Sequence, residues 1–234
     1  MARKATVKEP WKPRLFIPTY QVQEAARYAR TSPQTIRHWQ EGDDLIRAAV
    51  SNRDPRAALS YLQLIEVAVV AAFRKAGIKL PVIRAARNYL ATKFQKEFPF
   101  AQYDFQTSGR DILLDYAKVD KKSGKGMLID LGGGGQMVWT EIVGALLKDF
   151  DYDKSIALRW HVAGAGQPII IDPRVSFGAP NVKGVPTWVV KGRWESGERL
   201  DDIADDFSIT EKLVKDALIF EGIDPKGQRS RWVN

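Results

Sequence analysis

Gln34, Thr35, Arg37 and His38 lie side by side in the stretch YARTSPQTIRHWQEG. All four carry hydrogen-bond donors or acceptors of the kind that meet base edges in a DNA groove, and an arginine can pair bidentately with guanine. Arg27 and Arg30 just before them supply charge suited to phosphates. Other chemistry is poorly provided for. The chain has no cysteine, so disulfides and thiolate chemistry are excluded, and only His38 and His161 offer an imidazole. His161 has no second histidine at ligand spacing, and Asp151 and Asp153 fall in DFDYDK, which reads as a turn where aspartate is favoured by the backbone. LGGGGQ, at 131–136, lacks both G-x-G-x-x-G spacing and a P-loop lysine and reads as a glycine turn. These absences predict a binding protein without a cofactor or metal, not an enzyme.

The elements around the polar cluster explain how it would be presented. Val22, Ala25, Ala26 and Ala29 follow the i, i+3, i+4, i+7 stripe of a short helix. Ser32 then offers an N-cap and Pro33 a favoured first position, so a second helix runs toward Gly42 with Ile36 and Trp39 as its inward side. Helix, short turn, helix is the frame in which the first half of the second helix faces bases. It is also an ordinary polar hairpin of helices, and the spacing alone leaves both open.

Further along, Ser60 and Gln63 have capping-box spacing ahead of YLQLIEVAVVAAF, which is apolar on nearly all sides and is expected to be buried between neighbours. Gly77 ends that helix, and Pro81 opens another with Ile83, Ala86, Leu90 and Phe94 inward and Arg84, Arg87 and Lys93 outward. After EFPFAQYDF the texture turns to strands: DILLDYAKV, GMLIDL, QMVW and IALRWHV. IIIDPRVSFGAPNVKGVPTWVV reads as turns and short extended pieces. Two more helices follow, striped by Leu200, Ile203, Ala204 and Phe207 and by Leu213, Val214, Ala217 and Leu218, with SITE (Ser208 to Glu211) as the box between them.

Charge divides the chain in the same way. The total is +8, but residues 1–109 hold 18 Lys and Arg against 9 Asp and Glu, whereas 168–234 hold 10 against 11. The polyanion-binding surface therefore belongs to the N-terminal part, where each neutralised phosphate releases counterions. No run reaches the roughly 18 apolar residues of a membrane span, and MARKATVKEPWKPRLF lacks a secretory apolar core, so a cytoplasmic protein is expected.

Two resemblances join these readings. YQVQEAARYARTSPQTIRHWQEG, followed by LSYLQLIEVAVVAAFRKAGIKLPVIRAARNYL, resembles the winged helix-turn-helix of MerR-type regulators, with Gly77 to Arg84 matching the GIxLxxIR junction. The resemblance implies DNA contacts from Thr35, Arg37, His38 and Trp39, with Ser32 and Gln34 beside them and with Arg53 and Arg56 on a wing whose segment, RAAVSNRDPRA, departs from the pattern. The cysteine-ligand effector domain and long dimerisation helix of MerR proteins are absent. From Ile169 to Gly222, IIIDPRVSFGAPNVKGVPTWVV and SGERLDDIADDFSITEKLVKDALIFEG are similar to a small antitoxin-type domain of unknown function that is often paired with PIN-like ribonucleases.

Together they resemble VapB-type antitoxins. That resemblance implies a dimer that represses its own operon by binding double-stranded DNA and neutralises a PIN-like toxin. The acidic arc of Asp201, Asp202, Asp205 and Asp206 repels phosphate and is assigned to protein contact through Asp202 and Asp206. The basic tail, with Arg229, Arg231 and Trp232, is suited to reach a nuclease's carboxylates. Two rivals stay open: a stand-alone regulator or DNA-architectural factor, and an adaptor whose helix-turn-helix binds protein.

The expected architecture is α+β. A basic arm (1–19) leads into a MerR-like winged helix-turn-helix (20–109), followed by a small antiparallel β-rich middle (110–163). A small helical, homeodomain-like domain (168–224) and a basic tail (225–234) complete it.

Overall fold

A computed structural model describes residues 9–40, 58–101, 144, 148–153 and 156–225. The chain divides into two units: Met1–Leu147 with Lys154–Ile156, and Lys148–Asp153 with Ala157–Asn234. Helices and an antiparallel sheet are both present, so the fold is α+β.

In the first unit, α1 (Val22–Tyr28) and α2 (Pro33–Gln40) pack on each other, and α1 also meets α3 (Tyr61–Lys75), which pairs with α4 (Leu80–Phe94). The expected stripes are inward: Val22, Ala25 and Ala26 on α1, and Ile83, Ala86 and Leu90 on α4. α3 begins at the expected box, with Ser60 Oγ accepting from Gln63 N–H at 3.3 Å and Gln63 Oε1 accepting from Ser60 N–H at 2.7 Å. Every residue from Tyr61 to Val70 is buried, as its all-round apolarity requires.

Two expectations for this unit are corrected. Residues 12–16, part of the arm, form a 3₁₀ turn that packs on α3 with Leu15 fully buried, because that leucine gains more in the core than in water. Arg87, expected outside, is 6% exposed. Its Nε donates to Glu66 at 2.6 Å and its Nη2 to the Glu97 carbonyl at 2.6 Å, while Glu66, with no exposure, also accepts from Phe100 N–H at 2.8 Å. Burial pushes the Glu66 carboxyl above its ordinary value against the pull of Arg87 and of the Phe100 and Ala101 amides.

The second unit holds a five-stranded sheet in the order β1 (Phe150–Asp153), β2 (Ile156–His161), β3 (Ile170–Ile171), β4 (Asn181–Val182), β5 (Val185–Pro186). β2 meets β3 antiparallel with Trp160 opposite Ile171, and Phe150 stacks on Trp160 at 6.0 Å. The boundary expected between a middle region ending at 163 and a domain starting at 168 therefore runs through one sheet. Within DFDYDK, Phe150–Asp153 is strand rather than turn: Asp151 meets Arg159 on β2 and Asp153 meets Arg174 just past β3, and β1 is an edge, where charge is tolerated. β4 and β5 form a hairpin closed by Lys183 and Gly184, both at positive φ (45° and 89°), as a two-residue hairpin turn demands.

From the sheet, α5 (Thr187–Glu195) starts inside the TWVV read above as extended, burying Thr187, Val190 and Trp194. α6 (Leu200–Asp206) and α7 (Glu211–Phe220) follow as expected, and both α5 and α6 pack on α7. The domain expected to be helical is thus three helices joined to the end of a sheet. The strands expected in DILLDYAKV, GMLIDL and QMVW, and the LGGGGQ turn, lie outside the described residues.

Candidate nucleic-acid interface

The turn between α1 and α2 has a definite geometry. Arg30 sits in the left-handed region at φ 53°, and Thr31 N–H donates to the Ala26 carbonyl at 2.9 Å, which closes α1. Ser32 Oγ then accepts from Thr35 N–H at 3.0 Å and lies 2.8 Å from Thr35 Oγ1. The Ser32 hydroxyl is therefore first a cap for α2, and the half-buried Thr35 is part of the same bonding. Ile36 is fully buried and Trp39 is 3% exposed.

These anchors turn Gln34, Arg37 and His38 outward, with Arg27 and Arg30 also exposed; the Arg27 guanidinium lies 5.1 Å from the Tyr28 ring centroid. With the capping Ser32, six of the predicted contact residues are thus exposed on one helical hairpin. Trp39 faces inward, as the spacing predicts; the DNA contact that the resemblance implies for it is corrected, since its indole is an anchor of the helix and is too buried to reach a phosphate or base. Arg53 and Arg56 lie outside the described residues.

Sequence reasoning missed Arg84. From the first turns of α4 its Nη2 donates to the His38 carbonyl at 3.2 Å, on the final turn of α2. A residue 46 positions away gives no periodic or capping signal of such a bond.

The second unit repeats this turn. α6 has seven residues, as α1 has; Ser208, like Arg30, has φ 53°; and Ile209 N–H donates to the Ala204 carbonyl at 2.9 Å, as Thr31 does to Ala26. Thr210, not Ser208, is the cap, its Oγ1 accepting from Leu213 N–H at 3.4 Å. Ser208 cannot take that place because it occupies the left-handed position of the turn. Ala204, Val214 and Leu218 are buried where Ala26, Ile36 and Gln40 are buried in the first. The sequence shows no such repeat because, Ala26 and Ala204 apart, the matched positions share burial and not identity.

The surfaces of the two hairpins are opposite in charge. Asp202, Asp205 and Asp206 are exposed on α6, with Asp206 bonded to Arg193 at 2.6 Å and Asp201 to Arg199 at 2.5 Å. On α7, Lys212 pairs with Asp216 at 2.7 Å and Lys215 with Glu211 at 2.9 Å. Arg229, Arg231 and Trp232 lie outside the described residues.

A further charged cluster crosses the sheet. Asp172, 4% exposed, accepts from Arg174 N–H at 2.9 Å, from Arg174 Nη2 at 2.7 Å and from Arg159 Nε at 3.2 Å. Arg174 also faces Asp153 at 3.7 Å, and His161 Nε2 lies 3.2 Å from Asp151 Oδ2. The arginines are neutralised by the aspartates around them, which makes the cluster a clasp between strands more than an open anion site. Among the described residues no group of three or more His, Cys, Asp or Glu is placed to hold a metal ion, and no helix is long and apolar enough to cross a membrane.

Comparison with known proteins finds a family match within the second unit. Residues 169–220 match the family described as "Protein of unknown function (DUF433)". Over 229 residues, the chain is 28% identical to a protein of Mycobacterium tuberculosis named "Putative antitoxin VapB45", covering 88% of this chain and 94% of that one. The crystal structure of Rv2018 from Mycobacterium tuberculosis has the same fold, with a TM-score of 0.69, 24% identity, and coverage of 88% of this chain and 99% of that one.

Proposed function

We propose that this chain is the antitoxin of a type II toxin–antitoxin pair, which binds and neutralises a PIN-like ribonuclease toxin and represses its own operon as a dimer. The similarity to a protein named as an antitoxin, running through both units, carries this reading. The N-terminal hairpin is the DNA-reading element, with Arg37, His38 and Gln34 toward bases and Arg27 and Arg30 toward phosphates. Its MerR-like character rests on the TIRHW and GIKLPVIR motifs. A dimer suits it because one short module contacts few phosphates, and a two-fold protein matches a two-fold operator.

The C-terminal hairpin has similar backbone geometry but an acidic first helix, so its field opposes DNA and favours a basic protein surface. Asp202, exposed on α6, is the better toxin contact of the two proposed. Asp206 would first have to share or release Arg193.

Arg37→Ala is expected to weaken binding to duplex DNA from its own upstream region by about 1–3 kcal/mol if the side chain reads a guanine. Fluorescence anisotropy measures this, and unchanged affinity removes Arg37 from the interface. For the C-terminal half, the test is co-expression with the protein encoded beside it, scoring growth and complex formation. Removal of residues 226–234 is expected to weaken neutralisation while leaving DNA binding intact, and full neutralisation by the shortened chain excludes the tail. Specific DNA binding with no toxin complex would leave a stand-alone regulator.

A further inference from the structure

We propose that Arg84 is the positioning residue of the DNA-reading helix, a role that rests on the reading of α2 given above. α2 has only eight residues, and its core anchors are Ile36 and Trp39. The last carbonyls of any helix lack intrahelical donors, and its C-terminal end carries partial negative charge. Arg84 Nη2 donates to the His38 carbonyl, in the last described turn of α2, at 3.2 Å. A cationic donor is the stronger kind for this place.

The base from which Arg84 reaches is itself fixed. Gly77 turns the chain at φ 87°, and Arg74 Nη1 donates to the Ile78 carbonyl at 2.8 Å. Ile78 and Ile83 are fully buried on either side of Pro81. Arg84 therefore links a locked α3–α4 junction to the turn that carries the exposed Arg37 and His38. The twin helix α7 is closed within its own segment: Gly222, at φ 82°, lets Ile223 N–H return to the Leu218 carbonyl at 2.9 Å. The last described turn of α2 is held from another helix, by one long side chain added to its core anchors. Arg84, half-buried and directed at a backbone carbonyl, contributes to DNA affinity through α2 and not by touching phosphate.

The test combines hydrogen–deuterium exchange with DNA binding in the full chain, comparing wild type, Arg84→Ala and Arg84→Lys. Peptides covering 33–40 in Arg84→Ala should exchange about tenfold faster, with 61–75 unchanged as the control for folding. Affinity for a fluorescein-labelled duplex copied from the region upstream of its own coding sequence should fall about tenfold with an unchanged salt dependence, and Arg84→Lys should recover part of both effects. Unchanged exchange at 33–40 overturns the proposal. So does a drop of about one in the slope of log affinity against log salt, which would mark Arg84 as a phosphate contact. If wild type fails to bind the duplex while exchange at 33–40 still responds, the positioning role holds and the DNA-binding reading fails.

Discussion

Glu66→Ala is expected to destabilise the N-terminal unit by about 3–5 kcal/mol, because it strips a buried charge of its partner rather than removing a surface salt bridge. Glu66 has no exposure and Arg87 is 6% exposed, so water cannot take over the guanidinium when the carboxylate is gone. The variant also orphans Phe100 N–H, held by Glu66 Oε1 at 2.8 Å, and an unsatisfied buried amide carries its own cost. The affected elements are α3, α4 and the 3₁₀ turn Pro99–Ala101, which meet around this pair. Urea denaturation of the full chain, followed at a probe within this unit, reads the loss. The informative comparison is Glu66→Met combined with Arg87→Leu, which removes both charges together. It should be far milder than Glu66→Ala alone, since apolar replacement of a whole buried pair is often neutral or stabilising. A single variant within 1 kcal/mol of wild type, on the order of a surface pair, would refute a desolvated pair at this site.

Asp172→Ala should cost the C-terminal unit about 1.5–3 kcal/mol, the range of a charge-assisted hydrogen bond, with its arginine partners half-open to water and so partly compensated. The loss is one of sheet geometry as well as charge. Asp172 follows β3 directly, Arg159 lies on β2, and Arg174 begins the chain's way to β4, so one carboxylate ties three segments. Burial alone would raise its pKa, but the hydrogen bonds from the Arg174 side chain and backbone, the charge of Arg174 and the bond from Arg159 outweigh it and hold the carboxyl below its usual range. The folded state therefore binds a proton less readily than the unfolded chain. Its contribution is present above the unfolded value of 3.8 and is lost as pH falls through the lower folded value. Asp172→Asn should flatten the acid limb of the stability curve while leaving its neutral-to-basic part parallel to wild type. An acid limb identical to wild type would show that the clasp does not form.

Most helices were legible because their signals are local. The Ser60–Gln63 box, the Ser32 cap with Pro33 behind it, and the stripes through Val22, Ile83 and Val214 each act within one or two turns, and the structure places them where the spacing does. The exposed set Arg27, Arg30, Gln34, Arg37 and His38 follows from the same logic, since Ile36 and Trp39 must face the core once α2 forms. For Trp39 the spacing pointed inward and the resemblance pointed to DNA, and its burial decided between them. A tryptophan at the end of a polar helix is consistent with an anchor or a contact until its surroundings are known.

What the sequence determined by itself was the order of short-range elements and the division of charge between a basic N-terminal part and a neutral C-terminal one, because capping, periodicity and net charge are carried by neighbours or simple sums. Tertiary structure decided which charges are spent internally. Arg87 read as exposed because arginine usually is, yet its partner is Glu66, 21 residues earlier; Asp151 and Asp153 read as turn residues, yet face Arg159, His161 and Arg174 across a sheet. The Arg84 bond that holds the first hairpin also belongs to that level. A hydrogen bond between segments is set by how chains pack in space, and residue spacing along the sequence contains no record of it.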